Sequence, residues 1–215
     1  PHARPRLDDC MTEPRMIRAD QVGGLISELV SRCEEQGVRV DAYLVGGAAL
    51  TLQLERPRMT PDLDVLLLNP DPRIVSIAEA MADELSLDPA WLNSRAFAFL
   101  AGMDDEQDTE AALLDFPGHR IRVASPRYLL AMKIAAMRAK DVDDAAACVR
   151  YLGYRDADAI VTQAIATLGR DSMAWDAPHD ADLHAWLLPE AVRVLRRAWS
   201  GDALWDDAPA RRPTQ

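Results

Sequence analysis

Two short strings in this chain hold residue types that could act together on a phosphate: Gly46-Gly47 and Asp62-Leu63-Asp64. On an extended strand, residues two apart face one side, so Asp62 and Asp64 are expected to project together while Leu63 and Val65 enter a core. Paired carboxylates make a hard-cation site, and Mg²⁺ carrying a substrate triphosphate is the usual occupant of such sparse oxygen ligation. A Gly-Gly turn that opens a helix lets backbone N–H groups approach phosphate oxygens, and the helix dipole favours the anion. Each string alone is weak, because tight turns use glycine routinely and surface strands often carry acidic pairs. In this order, on a strand, a turn, a helix and a second strand, they describe a metal and nucleotide site.

The flanking pattern supplies the elements that such a site needs. Val38 to Val45 is β-branched and aromatic and reads as a strand, and Ala48 to Leu54 reads as a helix. Arg56 to Pro61 holds two prolines and reads as a loop; Asp62 to Leu68 reads as a largely buried strand closed by Asn69-Pro70. Helices are expected from Asp20 through Glu35, stopped by Gly37, and over Pro72 to Leu85. Asp88 to Asn93 reads as a turn, and Ala101 to Glu110, with five acids and no base, as a solvated loop. Ala111 to Phe116 and Arg120 to Val123 straddle Pro117-Gly118 like a hairpin. Ser125-Pro126 offers an N-cap and an N1 proline for a helix that breaks near Lys140-Asp141 and resumes to Leu152. Helices near Asp156 to Leu168 and Pro189 to Trp199 complete an α/β protein, with a core over residues 1–125 and a helical C-terminal part over 126–215.

Composition limits the classes open to the chain. Its 215 residues carry 24 Lys plus Arg against 35 Asp plus Glu, a formal charge of -11, which argues against a broadly basic nucleic-acid-coating surface but not against a local basic groove. No window approaches the ~20 apolar residues of a membrane span, and Pro1 to Asp20 mixes Arg, Asp and Pro without an apolar run. With three widely spaced cysteines, Cys10, Cys33 and Cys148, the expectation is a cytoplasmic protein with reduced thiols and no membrane partner. Only Lys133 and Lys140 are lysines, so each invites a question. A lysine on an apolar helix can snorkel over a core edge, or it can serve as a point charge for phosphate. His179 and His184 lie five apart, which does not put both imidazoles on one helix face, and they read as surface. Trp175, Trp186, Trp199 and Trp205 read as packing anchors of the helical part.

The string GGAAL followed by RPRMTPDLDVLL resembles the nucleotidyltransferase superfamily, whose signature is a Gly-Gly or Gly-Ser turn, a helix and a D-x-D strand. Within it, Arg58 and Thr60 before the first Asp, and Leu130 to Lys133 with Arg138, Lys140-Asp141 and Asp144 downstream, resemble the AbiEii-type and MenT-type toxins of toxin-antitoxin systems. The likeness spans about Ala42 to Leu152; Gly46-Gly47-Ala48 departs from the Gly-Ser of many superfamily members.

The resemblance implies a polymerase beta-like core with a short mixed sheet. It implies transfer of a nucleoside monophosphate from NTP to a hydroxyl at the 3′ end of tRNA, with Mg²⁺ as cofactor and an antitoxin protein as partner. Carried over residue by residue, Asp62 and Asp64 would be catalytic and hold the metal, with Lys133 and Asp144 beside them in catalysis. Gly46, Gly47, Arg58, Thr60 and Lys133 would meet the nucleotide. Asp115, on a strand next to the D-x-D strand in the superfamily pattern, would be the third metal ligand. Asp115 also reads as a turn residue, Thr60 as a loop support, and Asp141 and Asp144 as orienting Lys133 or as a solvated helix start. A small-molecule transferase of the aminoglycoside-modifying kind would share the metal site, and a charge of -11 suits a cationic drug. A non-catalytic interaction protein is a further reading, against which the intact Asp62 and Asp64 stand.

Overall fold

A β-branched run becomes a central strand when both its edges find partners, and Asp41–Val45 (β2) does so in this computed structural model, which describes residues 16–55, 59–96 and 105–201. Leu63–Leu67 (β4) pairs with β2 antiparallel, with Val45 opposite Asp64. Arg120–Val123 (β7) pairs with its other edge in parallel. Leu92–Asn93 (β5) adds to β4 in parallel and Ala112–Leu114 (β6) to β7 antiparallel, giving a five-stranded mixed sheet in the order β5-β4-β2-β7-β6. Ile17–Arg18 (β1) and Met59–Thr60 (β3) form a separate antiparallel pair.

Seven α-helices cover this frame among the described residues. Ala19–Glu35 (α1), Gly46–Leu54 (α2) and Pro72–Leu85 (α3) lie within the sheet region, α1 packing on both α2 and α3. Pro126–Ala136 (α4), Val142–Leu152 (α5), Ala157–Leu168 (α6) and Leu183–Trp199 (α7) pack on one another, and α4 also packs on α2. One hydrophobic core runs from Ile17 through Leu44 and Leu129 to Ala198, across the expected boundary at residue 125. No helix among the described residues is long and apolar enough to cross a membrane. Cys33 and Cys148 are buried free thiols.

Several elements differ from expectation, each for a local reason. Val38 and Val40 are buried but not strand, because the Val38 N–H turns back to the Cys33 carbonyl and the Val40 N–H to His119 Nδ1. Helix α2 starts at Gly46 rather than Ala48. The loop before β4 contributes Met59–Thr60 to a strand pair with the residues just before α1, while Arg56 and Pro57 lie outside the described residues. The 88–93 turn ends in β5, anchored by fully buried Trp91, whose indole donates to the Ala78 carbonyl and whose carbonyl accepts from the Leu63 N–H. Helix α7 begins six residues before Pro189, because Asp182 caps the N–H groups of His184 and Ala185 and the proline is then carried inside the helix.

The acidic 101–110 stretch is not uniformly solvated. Asp108 is only 2% exposed, and its carboxylate accepts from the Tyr43 hydroxyl at 2.7 Å and the Ser125 N–H at 2.8 Å. Burial, with Asp108 next, pushes the Tyr43 phenol well above its ordinary range. His179 is exposed, and His184 lies 3.6 Å from Asp158. Trp175 and Trp199 are half-buried with their indoles bonded to the Gly169 and Tyr154 carbonyls; Trp186 is exposed and Trp205 lies outside the described residues.

Candidate active site

The antiparallel register of β2 and β4 brings the two strings of the sequence together. Leu63 and Val65 are buried, while Asp62 and Asp64 face a cleft of about 340 Å³. Gly46 and Gly47 line the same cleft at the start of α2. Gly46 has φ +68, and a Cβ on it would lie 2.3 Å from Asp64 Oδ2. Glycine is therefore required there twice, by the backbone and by the carboxylate. Burial and then the neighbouring Asp62 raise the Asp64 carboxyl above its ordinary value, although Arg138, Arg95 and Lys133 draw it down.

Helix α4 forms the opposite wall with Leu129, Met132, Lys133 and Ala136. Ser125 caps it by accepting from the Tyr128 N–H, and Pro126 takes the first turn, where a missing N–H costs nothing. Lys133 is 7% exposed, and its ammonium lies 2.9 Å from Asp141 Oδ1 and 2.9 Å from Asp144 Oδ2. A 3-10 turn over Ala139–Asp141 brings Asp141 back toward Lys133 and into contact with Arg138. Burial alone would raise the Asp141 carboxyl, but Lys133 and Arg138 together hold it below its ordinary value. Asp144, 3% exposed, grips Lys133 without lining the cleft.

Not every expected residue is brought here. Thr60 lines the cleft, but its hydroxyl donates to the Asp62 carbonyl at 2.9 Å and braces the start of β4. Arg58 lies outside the described residues. Asp115 is not delivered to the site. It is exposed, follows the end of β6 where Leu114 pairs with Ile121, and Ile121 pairs with Ala42 at the far end of β2 from Val45 and Asp64. Strand β6 runs away from the site and stands three places from β4, so the expected third carboxylate is absent from the acidic pair.

Sequence reasoning missed two residues that do reach it. Asn93 on β5 donates to Asp62 Oδ2 at 3.1 Å, and the guanidinium of Arg95 lies 3.7 Å from the same oxygen. The apolar Trp91-Leu92 pair inside the supposed turn was the available signal that the chain there returns to the sheet.

The lining thus gathers Arg95, Lys133, Arg138 and Lys140 against Asp62, Asp64 and Asp141, a local excess of cations in a chain of net charge -11. Such a cleft suits a phosphate-bearing ligand. Among the described residues no group of three or more His, Cys, Asp or Glu could hold a metal ion. Asp62 and Asp64 fit a hard cation whose remaining oxygens come from water and substrate phosphate.

A glycine turn pressed against a D-x-D segment, facing a helix that carries Lys133, is the arrangement expected of a nucleotidyltransferase. The comparison of families agrees at this level: residues 24–152 match the model of the family described as a nucleotidyltransferase of unknown function, DUF6036, and the chain belongs to that family. No curated protein and no solved structure gives a significant match.

Proposed function

We propose that the chain is a divalent-metal-dependent nucleotidyltransferase that moves a nucleoside monophosphate from an NTP to a hydroxyl and releases pyrophosphate. The observation that carries this reading is the meeting of Asp62 and Asp64 with the Gly46-Gly47 turn in one cleft whose lining holds four cations. In the reaction the acceptor hydroxyl gives up its proton to solvent and its oxygen bonds to the α-phosphorus as the bond to the pyrophosphate oxygen breaks. Asp62 and Asp64 would hold Mg²⁺, which when bound orients the triphosphate and neutralises charge on the α-phosphate and leaving group. The α2 N-terminus offers backbone N–H groups to phosphate oxygens. Arg138, Lys140 and Arg95 supply exposed positive charge at the rim. Lys133, gripped by Asp141 and Asp144, adds a fixed cation to the floor.

The acceptor in this reading is the 3′-terminal hydroxyl of tRNA, and the chain acts as the toxin of a toxin-antitoxin pair restrained by a cognate antitoxin. The support is the resemblance of GGAAL, RPRMTPDLDVLL and the Lys133 to Asp144 segment to AbiEii-type and MenT-type toxins. A second reading, a transferase acting on a cationic small molecule, is favoured by the net charge of -11 but not by the cationic lining of the cleft.

Incubation with each labelled NTP and total tRNA, with and without Mg²⁺, tests the assignment. Label entering tRNA only with metal is expected, together with growth arrest when the chain is expressed without a partner. No arrest and no labelled RNA, with label instead entering an aminoglycoside, would replace this reading by the second.

A further inference from the structure

Asn93 occupies the place in the sheet where a third acid could have stood. It is the register partner of Asp64 in the parallel β4–β5 pair, so its side chain shares a face with Asp64 and with Asp62 two residues away. Its amide is held at both ends: Nδ2 donates to Asp62 Oδ2 at 3.1 Å and to the Ala90 carbonyl at 3.3 Å, and Oδ1 accepts from the Arg95 N–H at 2.9 Å. The opposite amide orientation would set Oδ1 against two acceptors and Nδ2 against a donor, so these partners define the orientation. Trp91, buried two residues earlier and bonded to the Ala78 carbonyl and the Leu63 N–H, fixes the backbone from which Asn93 reaches.

We infer that Asn93 is a positioning residue for Asp62, an inference that rests on the metal-dependent reading above. The amide holds Asp62 Oδ2 and leaves Oδ1 to a divalent cation. It does this with a neutral donor, so the carboxylate is oriented without a close positive charge standing against the cation. Arg95 stands as the competitor. Its side chain is 70% exposed and its guanidinium is 3.7 Å from Asp62 Oδ2, a looser contact than the amide bond at 3.1 Å. A fixed neighbour of this kind allows two carboxylates to serve where a third is missing, because a ligand that needs no reordering binds its cation more tightly.

The test uses Mn²⁺ as the probe, counted by electron paramagnetic resonance on the full chain without nucleotide. The unaltered protein is expected to bind Mn²⁺, and Asp62→Ala to lose that binding. Asn93→Leu, close in size but without the donor, is expected to weaken Mn²⁺ binding about tenfold or more, with its circular dichroism and melting temperature retained. Asn93→Ala is the second variant if leucine disturbs β5. Mn²⁺ affinity unchanged in a folded Asn93 variant overturns the positioning role and leaves the metal site standing. An unaltered protein that binds no Mn²⁺, or binds it equally after Asp62→Ala, removes the metal site itself.

Discussion

Gly46 and Asp64 are so close that a single added carbon on the glycine would overlap the carboxylate, at 2.3 Å from Oδ2. The contact follows from the pairing of Val45 with Asp64, which sets the turn after β2 directly beside the acid on β4. Substitution at Gly46 therefore reports on the backbone and the acid together.

Gly46→Ala is expected to cost about 1–3 kcal/mol of stability from the left-handed backbone alone, and to push Asp64 aside. Urea unfolding and metal binding measured on the same preparation should both decline. A variant of full stability and full metal affinity would show that the turn and the acid do not touch.

The acidic pair Asp62 and Asp64 should separate cleanly from Asp115. Asp62→Ala is expected to reduce NTP turnover by ~100-fold or more, the ~3 kcal/mol scale of a lost charge-stabilising contact. Asp115→Ala, at the other end of the sheet, should leave the rate within about twofold, well inside the ~1.4 kcal/mol that a tenfold change needs. Equal losses in the two variants would reinstate Asp115 as a ligand.

Lys133→Ala takes the ammonium from between two buried carboxylates and leaves Asp141 with Arg138 alone, and breaking a buried ion pair from one side costs about 3–5 kcal/mol. The pH dependence follows from Asp141, which is lowered in the native protein by Lys133 and Arg138 against the effect of burial. Its stabilisation is present above the unfolded carboxylate pKa and is lost as pH falls through the lower native value. Without Lys133 the lowering weakens, leaving Arg138 alone against burial, so Asp141 contributes less stability at neutral pH. The stability gap between the two proteins should thus be widest near neutral pH and narrow toward about pH 4. A gap independent of pH would remove Asp141 from the explanation. Lys133→Arg should also be poorly accommodated, because a planar fork is a larger guest between two acids placed for one ammonium.

Asp64 carries the opposite sign. Its raised pKa means that ionisation is disfavoured in the native state, so its contribution declines as pH rises from the ordinary carboxylate range through the higher native value. In EDTA at neutral pH, Asp64→Asn is expected to melt about 2 °C or more above the unaltered protein, while turnover is lost. The gain should vanish below about pH 4, where both forms are neutral. A lower melting temperature at pH 7 would mean that ionising Asp64 in its half-buried site carries no cost.

The parts legible in the sequence were those with a strong local signal. Helix α3 runs from Pro72 to Leu85 as its N1 proline and apolar spacing predict, with Asp71 capping it, and α1 begins one residue before Asp20. The alternation at Leu63 and Val65 likewise marks the buried face of β4, leaving Asp62 and Asp64 on the other. Two-residue strands have no period to read, so β1, β3 and β5 were hidden, and Asn93 with them. Asp108 looked like its acidic neighbours because its partner Tyr43 is distant in the chain and local composition holds no record of it. Asp115 went astray for a similar reason: a hairpin can be read from Pro117-Gly118, but which end of the sheet its strands approach depends on pairing with β2.

The two lysines differ in a way that gives the protein an experimental handle. Lys133 is enclosed by two carboxylates, whereas Lys140, at the rim of the same cleft, is exposed. An amine-directed dye therefore finds a single reactive lysine side chain, a few residues along the chain from the buried one. A fluorophore on Lys140 would sit at the mouth of the cleft that the proposed reaction assigns to nucleotide and acceptor, and its quenching would time their arrival with no cysteine introduced.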